Sequence, residues 1–343
     1  MITIEHLTKR YGDKVAVDDI SLTIKSGEIV GFLGPNGAGK TTTMNILTGY
    51  LSSTAGTVEI DGISMQDDPL EAKRQIGFLP EQPPLYMDMT VEEYLNFVYD
   101  LKGCRFARKE HLAEICQVVG IDHVYRRVIR NLSKGYRQRV GIAQALVGNP
   151  KVVIFDEPTV GLDPKQIIEI RNLISRLGKR HTVILSTHIL PEVQAVCDRI
   201  VIINEGKIIA NERTEEISKL LENSHRLAVR ICGPEKEVLA ALKKTRGVAS
   251  ADVAKEHEID DGVTYYVVSQ PGVDVRKPIF NTMAERKFAI IGMDALGHTL
   301  EDVFIALVDR ESNAEAKRDG FGPQVDISGI TAPSDGEDTQ DDA

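Results

Sequence analysis

No Cys-x-x-Cys pair occurs anywhere in the 343 residues, and the four cysteines (Cys104, Cys116, Cys197 and Cys232) are scattered. That spacing argues against a zinc site or a disulfide framework and fits a reducing cytosol, with the thiols serving as small buried residues. Long apolar runs are missing too. None approaches the ~18 consecutive residues that a membrane helix needs, and the longest, such as RIVIIN at Arg199–Asn204, are strand-sized. Any work at a membrane is therefore expected to go through a partner. The opening MITIEHLTKRYG has no charged start followed by an apolar run, so no signal peptide is expected. Positive charge is also in short supply: the net charge is −10, which disfavours a generic nucleic-acid binder. Much of the acidity belongs to positions 311–343, where nine acids face only Lys317 and Arg318, so the rest of the chain is nearly neutral.

The length accommodates two domains and a core that needs no covalent staples. Through the first two-thirds, short β-branched runs (EIVGFLG at 28–34, KVVIFD at 151–156, HTVILS at 181–186) alternate with helical patterns. That alternation predicts a mainly parallel sheet covered on both faces. Before Gly34, the segments ITIEHL, KVAVDD and SLTIKS read as three antiparallel strands at the edge of this core. From Gln82 to Asn131 the pattern turns helical, predicting an inserted helical subdomain over about 83–148. After Glu222 the order is strand 226–232, helix 234–244, strand 247–254, strand 263–269, helix 275–286, strand 288–293 and a closing helix 299–310. The order βαββαβ is the split-βαβ, ferredoxin-like arrangement of a small α+β domain over 223–310. Positions 311–343 are rich in Gly, Ser, Asp and Pro and are expected to be disordered. No internal repeat is visible.

The chemistry starts at GPNGAGKT, Gly34–Thr41, which matches G-x-x-x-x-G-K-[ST] and sits between a strand-like and a helical segment. Its glycines let successive N–H groups turn inward around phosphates at a helix N-terminus. Lys40 adds a point charge for the β- and γ-phosphates, and the Thr41 hydroxyl is a candidate Mg²⁺ ligand. KVVIFDEPT supplies the carboxylate such a loop needs: Asp156 to hold Mg²⁺, and Glu157 where it could polarise an attacking water. The blander reading of that pair is an exposed acidic turn. His188 follows another apolar strand, and parallel-sheet topology would gather Lys40, Asp156, Glu157 and His188 at one sheet edge, with His188 as a γ-phosphate contact. Gln82, in FLPEQPP, follows a further strand and could approach Mg²⁺ or the water from the side; as a lone Gln in a Pro-rich loop it could equally mean little.

Together these residues resemble the nucleotide-binding subunit of ATP-binding-cassette (ABC) transporters, in the family's motif order, from Met1 to about Glu222. The resemblance implies a P-loop NTPase core with an antiparallel β subdomain, followed here by the small α+β domain. It implies ATP and Mg²⁺ as ligands and ATP hydrolysis as the activity. Tyr11 then stacks on adenine, and Gly34, Pro35, Asn36, Gly37, Ala38, Gly39, Lys40, Thr41 and Thr42 form the phosphate loop. Gln82 becomes the Q-loop glutamine, with catalytic and metal contacts. Asp156 matches the Mg²⁺ aspartate, Glu157 the catalytic glutamate, Asp163 the D-loop and His188 the switch histidine. Leu132–Gln138 matches the signature motif, with Ser133 and Gly135 at its phosphate-touching positions. The signature reads LSKGY where the family commonly has LSGGQ, so Lys134 adds charge near the expected anion. LSKGYRQR and the later TLEDVFIALV are similar to ATPases of ABC-2-type exporters, including those linked to gliding motility.

In this family two cassettes pack head to tail, and each signature closes over the nucleotide of the other. The implied partners are an identical or homologous cassette and a separate membrane permease, with the chain on the inner face of the cell membrane. The cluster Leu85, Tyr86, Met87 and Met89 in PPLYMDMTVEEYL is a candidate permease-docking patch; otherwise these side chains pack inside the helical block. Two rival functions stay open: a soluble cassette ATPase of translation or DNA repair, and a non-hydrolysing regulatory cassette. The first is disfavoured by a single cassette without a heptad array, the second by the presence of Lys40, Asp156, Glu157 and His188. The C-terminal region has no catalytic cluster, its histidines (His225, His257, His298) being dispersed. It is read as stabilising a dimer, sensing a regulator or serving as a passive appendage.

Overall fold

The computed structural model describes residues 1–222, 226–254, 262–270, 272–296 and 303. The chain opens with β1 (Ile2–Tyr11) and β2 (Lys14–Ile24), which pair antiparallel from Ile2↔Ile24 to Tyr11↔Lys14. KVAVDD and SLTIKS, expected as two strands, are one. Asp19 breaks its regularity by taking a left-handed φ of 50°, and His6 on the facing strand does likewise at 51°. The N–H of Asp19 donates to Thr8 Oγ1 at 3.1 Å and that of His6 to Ser21 Oγ at 3.0 Å, so side-chain hydroxyls close the ladder where it slips register.

The chain then passes through β3 (Ile29–Leu33) and α1 (Lys40–Leu47), and returns as β4 (Ala55–Ile60) and β5 (Ile63–Ser64). The antiparallel strands make a sheet of their own, ordered β2-β1-β4-β5. This is the antiparallel β subdomain expected beside the parallel sheet. Ile2, Ile4 and Ile24 of this sheet share one buried cluster with Val30, Met44, Leu47 and Ile154, so apolar side chains join the two layers, together with hydrogen bonds from the Asp18 N–H to the Gly206 oxygen and from Arg199 Nη2 to the Thr23 oxygen.

After α2 (Pro69–Arg74) and β6 (Ile76–Leu79) come three helices, α3 (Val91–Leu101), α4 (Arg108–Val119) and α5 (Lys134–Leu146). A capping box starts α3, with Thr90 accepting from the Glu93 N–H while Glu93 accepts from the Thr90 N–H. The α4 helix stops at Gly120, whose φ of 73° suits glycine. Just past α3, the ammonium of the half-buried Lys102 donates to the carbonyls of Gln144, Ala145 and Val147 at the end of α5. It thereby ties one end of α3 to the unpaired acceptors of another helix.

The remaining core elements are β7 (Val152–Asp156), α6 (Pro164–Gly178), β8 (Thr182–Thr187), α7 (Leu190–Val196), β9 (Arg199–Asn204), β10 (Lys207–Arg213) and α8 (Thr214–Glu222). The six-stranded sheet is ordered β10-β9-β3-β8-β7-β6 and is parallel except where β10 meets β9. Every residue of β3, β7 and β8 is buried, as expected for strands covered on both faces.

Beyond 225 the described elements are β11 (Arg226–Cys232), α9 (Glu235–Lys244), β12 (Val248–Val253), β13 (Val263–Ser269), α10 (Arg276–Glu285) and β14 (Ala289–Leu296). Their sheet order, β12-β13-β11-β14 with antiparallel neighbours, is the split-βαβ topology read from the pattern. The last strand runs three residues further than expected, to Leu296. The closing helix expected at 299–310 (apart from Val303) and the acidic segment 311–343 lie outside the described residues.

Candidate active site

The loop between β3 and α1 has little freedom in its sequence. A Cβ added to Gly34 would stand 2.3 Å from the Ile203 carbonyl oxygen. Gly39 combines a φ of 107° with a Cβ position 2.5 Å from the Ala16 oxygen, so a side chain there is both strained and blocked. Gly39 is also the N-cap of α1 and supplies no side-chain acceptor. The first N–H groups of that helix are therefore left for an external anion. Ala38 is buried; Asn36 and Thr41 are exposed, and Pro35 and Thr42 half-buried.

Lys40 is buried and curls back over its own loop. Its Nζ donates to the Gly34 oxygen at 2.8 Å and the Pro35 oxygen at 3.2 Å, and lies 3.6 Å from Glu157 Oε1. Burial pulls its pKa down, and the charges of Glu157, Asp156 and Glu81 oppose that shift. Glu157 takes a left-handed φ of 47°, and its N–H donates to the Ser186 oxygen at 2.9 Å. Its carboxylate lies 3.0 Å, through both oxygens, from His188 Nδ1. Lys40, Glu157 and His188 thus form one chain of contacts across the ends of β7 and β8 and the start of α1. With the hydrogen on Nδ1 donated to Glu157, Nε2 remains for a further partner.

Asp156 is 1% exposed, and its Oδ1 has no hydrogen-bond partner. A buried carboxylate oxygen without a donor is unfavourable unless a cation completes its surroundings. The hard oxygen donors here, Asp156 and the hydroxyl of Thr41, which follows Lys40 at the head of α1, suit Mg²⁺ chemistry.

Other motif residues are not joined to this cluster by any hydrogen bond or ion pair among the described residues. Gln82 is exposed on the loop after β6; the residue there whose charge reaches Lys40 is its neighbour Glu81. Tyr11 is half exposed at the end of β1, with Lys9 Nζ 5.3 Å from its ring centre. Ser133 caps α5, accepting from the Tyr136 N–H at 3.4 Å, and Asp163 caps α6, accepting from the Gln166 N–H at 2.9 Å. Ser133, Gly135, Tyr136, Asp163 and Gln166 line a separate hollow of about 330 Å³.

Both departures from the common signature have partners within the chain. Lys134 Nζ lies against Gly161, 2.0 Å from where a Cβ on that glycine would stand. The Tyr136 hydroxyl is 3.0 Å from His123 Nε2. Sequence reasoning also passed over a buried trio next to the cluster, Thr159, Thr187 and Glu192. The one available signal was an acid in LPEVQ inside an otherwise apolar helix start.

The family described as "ABC transporter" matches residues 17–160. The chain is 38% identical over 221 residues to the bacitracin transport ATP-binding protein BcrA of Bacillus licheniformis, covering 64% of this chain and 72% of that one. It is 33% identical over 310 residues to YxlF of Bacillus subtilis (strain 168), an uncharacterized ABC transporter ATP-binding protein, covering 90% and 99%. Among solved structures, the dimeric post-hydrolysis state of the ATP-binding cassette MJ0796 bound to ADP and Pi aligns with a TM-score of 0.57 at 30% identity. That alignment covers 62% of this chain and 99% of MJ0796.

Proposed function

The chain belongs to the ABC transporter family of ATP-binding cassettes, and from that premise we propose that it hydrolyses ATP as the energy-supplying subunit of an ABC-2-type exporter. The observation that carries this reading is the chain of contacts Lys40–Glu157–His188 beside the unpartnered oxygen of Asp156. In it a phosphate-binding cation, a candidate base and a group that orients the base already touch.

Loop N–H groups and the head of α1 hold the phosphates. Lys40 exchanges the Gly34 and Pro35 carbonyls for phosphate oxygens, which frees Glu157 from one of its two partners. Glu157 then polarises the attacking water, while His188 keeps the carboxylate aimed and offers Nε2 to the γ-phosphate. Asp156, Thr41 and Gln82 are the residues that would hold Mg²⁺, which, when bound, neutralises charge on the β- and γ-phosphates. Tyr11 supplies an aromatic surface for the adenine.

Ser133 and Gly135 face the nucleotide of a second cassette, identical or homologous, and ATP between the two favours closure. The export direction is supported by the 38% identity over 222 residues to the lipopolysaccharide export system ATP-binding protein LptB of Haemophilus influenzae. Residues 1–222 form the cassette, and 223–310 an accessory domain. No described helix is long and apolar enough to cross a membrane, so in this reading a separate permease does, and the chain works on its inner face. The helical block docks it through the patch around Tyr86.

Glu157→Gln tests the mechanism. ATP turnover should fall at least about 100-fold, the range expected on losing a general base, while the variant elutes as an ATP-bound dimer from a sizing column. A variant that stays monomeric at saturating ATP and Mg²⁺ overturns the proposal.

A further inference from the structure

Glu192 lies in the first turn of α7 and is 1% exposed. An ionised carboxylate is stable at such a place only when donors surround it. Thr159 Oγ1 donates to Oε1 at 2.7 Å, and Thr187 Oγ1 donates to Oε2 at 3.0 Å. Arg171 Nη2, from α6, stands 3.7 Å from Oε1. Both threonines are buried as well.

These donors come from three different parts of the chain, all next to the active site. Thr159 is two residues past Glu157. Thr187 ends β8 and immediately precedes His188, and its Oγ1 also accepts from the Ile189 N–H at 3.2 Å. Arg171 belongs to the helix that Asp163 caps. A backbone bond, from the Glu157 N–H to the Ser186 oxygen, already ties the two strand ends together. It does not fix the residues beyond them. Glu157 needs such support, because a non-glycine backbone at φ 47° persists only where its surroundings hold it.

We propose that Glu192 is a positioning residue. One buried carboxylate fastens the segment after Glu157 to the segment before His188, and so sets the 3.0 Å contact between those two side chains. The inference rests on reading Glu157 and His188 as the working pair. Glu192 touches neither nucleotide nor water in this reading; it acts through the two threonines.

Thr159→Val and Thr187→Val each remove one hydroxyl while keeping the side chain's shape, and serve where Glu192→Ala fails to fold. Each should lower kcat about tenfold or more, since small misplacements of reacting groups carry losses up to about 100-fold. KM for ATP should stay within about twofold of wild type, the pattern of an interaction that matters only in the transition state. Thr159→Ser and Thr187→Ser, which restore the hydroxyls, should recover turnover. The His188 imidazole resonances of the nucleotide-free protein should move in the two Val variants and return in the two Ser variants.

Unchanged kcat and unmoved imidazole signals in both Val variants overturn the clamp, as does a raised KM at constant kcat. A wild-type protein that hydrolyses no ATP would count against the functional reading instead. The imidazole signals still decide the clamp in that case.

Discussion

His188 Nδ1 stands 3.0 Å from both oxygens of Glu157, and the same carboxylate stands 3.6 Å from Lys40 Nζ. One acidic group is therefore shared between a cation that phosphate can draw away and an imidazole that stays behind. If the imidazole aims the carboxylate, His188→Ala should leave ATP affinity near wild type and lower single-turnover hydrolysis about 100-fold. Loss of affinity with hydrolysis of bound ATP intact would instead mark His188 as a binding residue only.

The second prediction concerns Lys102, whose pKa burial pushes down from 10.5 to about 8. Between those values the unfolded chain holds a proton that the folded chain has released, so stability rises with pH across that window. Below about pH 8 both states are protonated, and the full unfavourable contribution of the buried ammonium is present. Compared with Lys102→Met, the wild type should gain on the order of 1–3 kcal/mol between about pH 8 and pH 10.5, read from urea midpoints. A difference that stays flat across this range would show that the three carbonyls fully compensate the burial.

The third prediction concerns the surface of the helical block. Tyr86 is 53% exposed and Met87 37%, and the Tyr86 ring packs edge-on against Phe97 at 5.3 Å. Leu85 and Met89 are only half-buried, so the cluster expected from PPLYMDMT is an open surface more than a core. Tyr86→Asp with Met87→Asp should abolish co-purification with the permease encoded for this chain while leaving ATP affinity within about twofold, because no nucleotide contact is lost. Persistent co-purification would remove this surface from the docking role.

What could be read from the sequence was whatever local geometry fixes. The stretch GPNGAGKT specifies a turn in which a Cβ on Gly34 or Gly39 would stand under 3 Å from the Ile203 or Ala16 backbone oxygen, and no other residue type tolerates that approach. The β-branched runs at 151–156 and 181–186 gave the parallel strands, and hence the meeting of Lys40, Glu157 and His188, because topology alone carries strand ends to one edge. The rest depended on side chains distant in sequence. Thr159 and Glu192 are 33 residues apart, and neither belongs to a spacing pattern that would announce the contact. The bulge that fuses KVAVDD with SLTIKS into one strand needed Thr8 and Ser21 hydroxyls from facing positions. Lys134 looked like charge supplied to a distant anion, and only the folded chain shows its stem crossing to Gly161.

That crossing makes positions 134 and 161 a matched pair. Gly161 has a φ of 69°, and a methyl group there would stand 2.0 Å from the Lys134 ammonium. Lys134 opens α5 and Gly161 lies on the turn before α6, yet a change at either alters the room left for the other. Anyone grafting this signature onto another cassette, or restoring the common wording here, is exchanging one side of that contact. Carried to a cassette with a side chain at the position of Gly161, the lysine would have to turn its flexible end elsewhere.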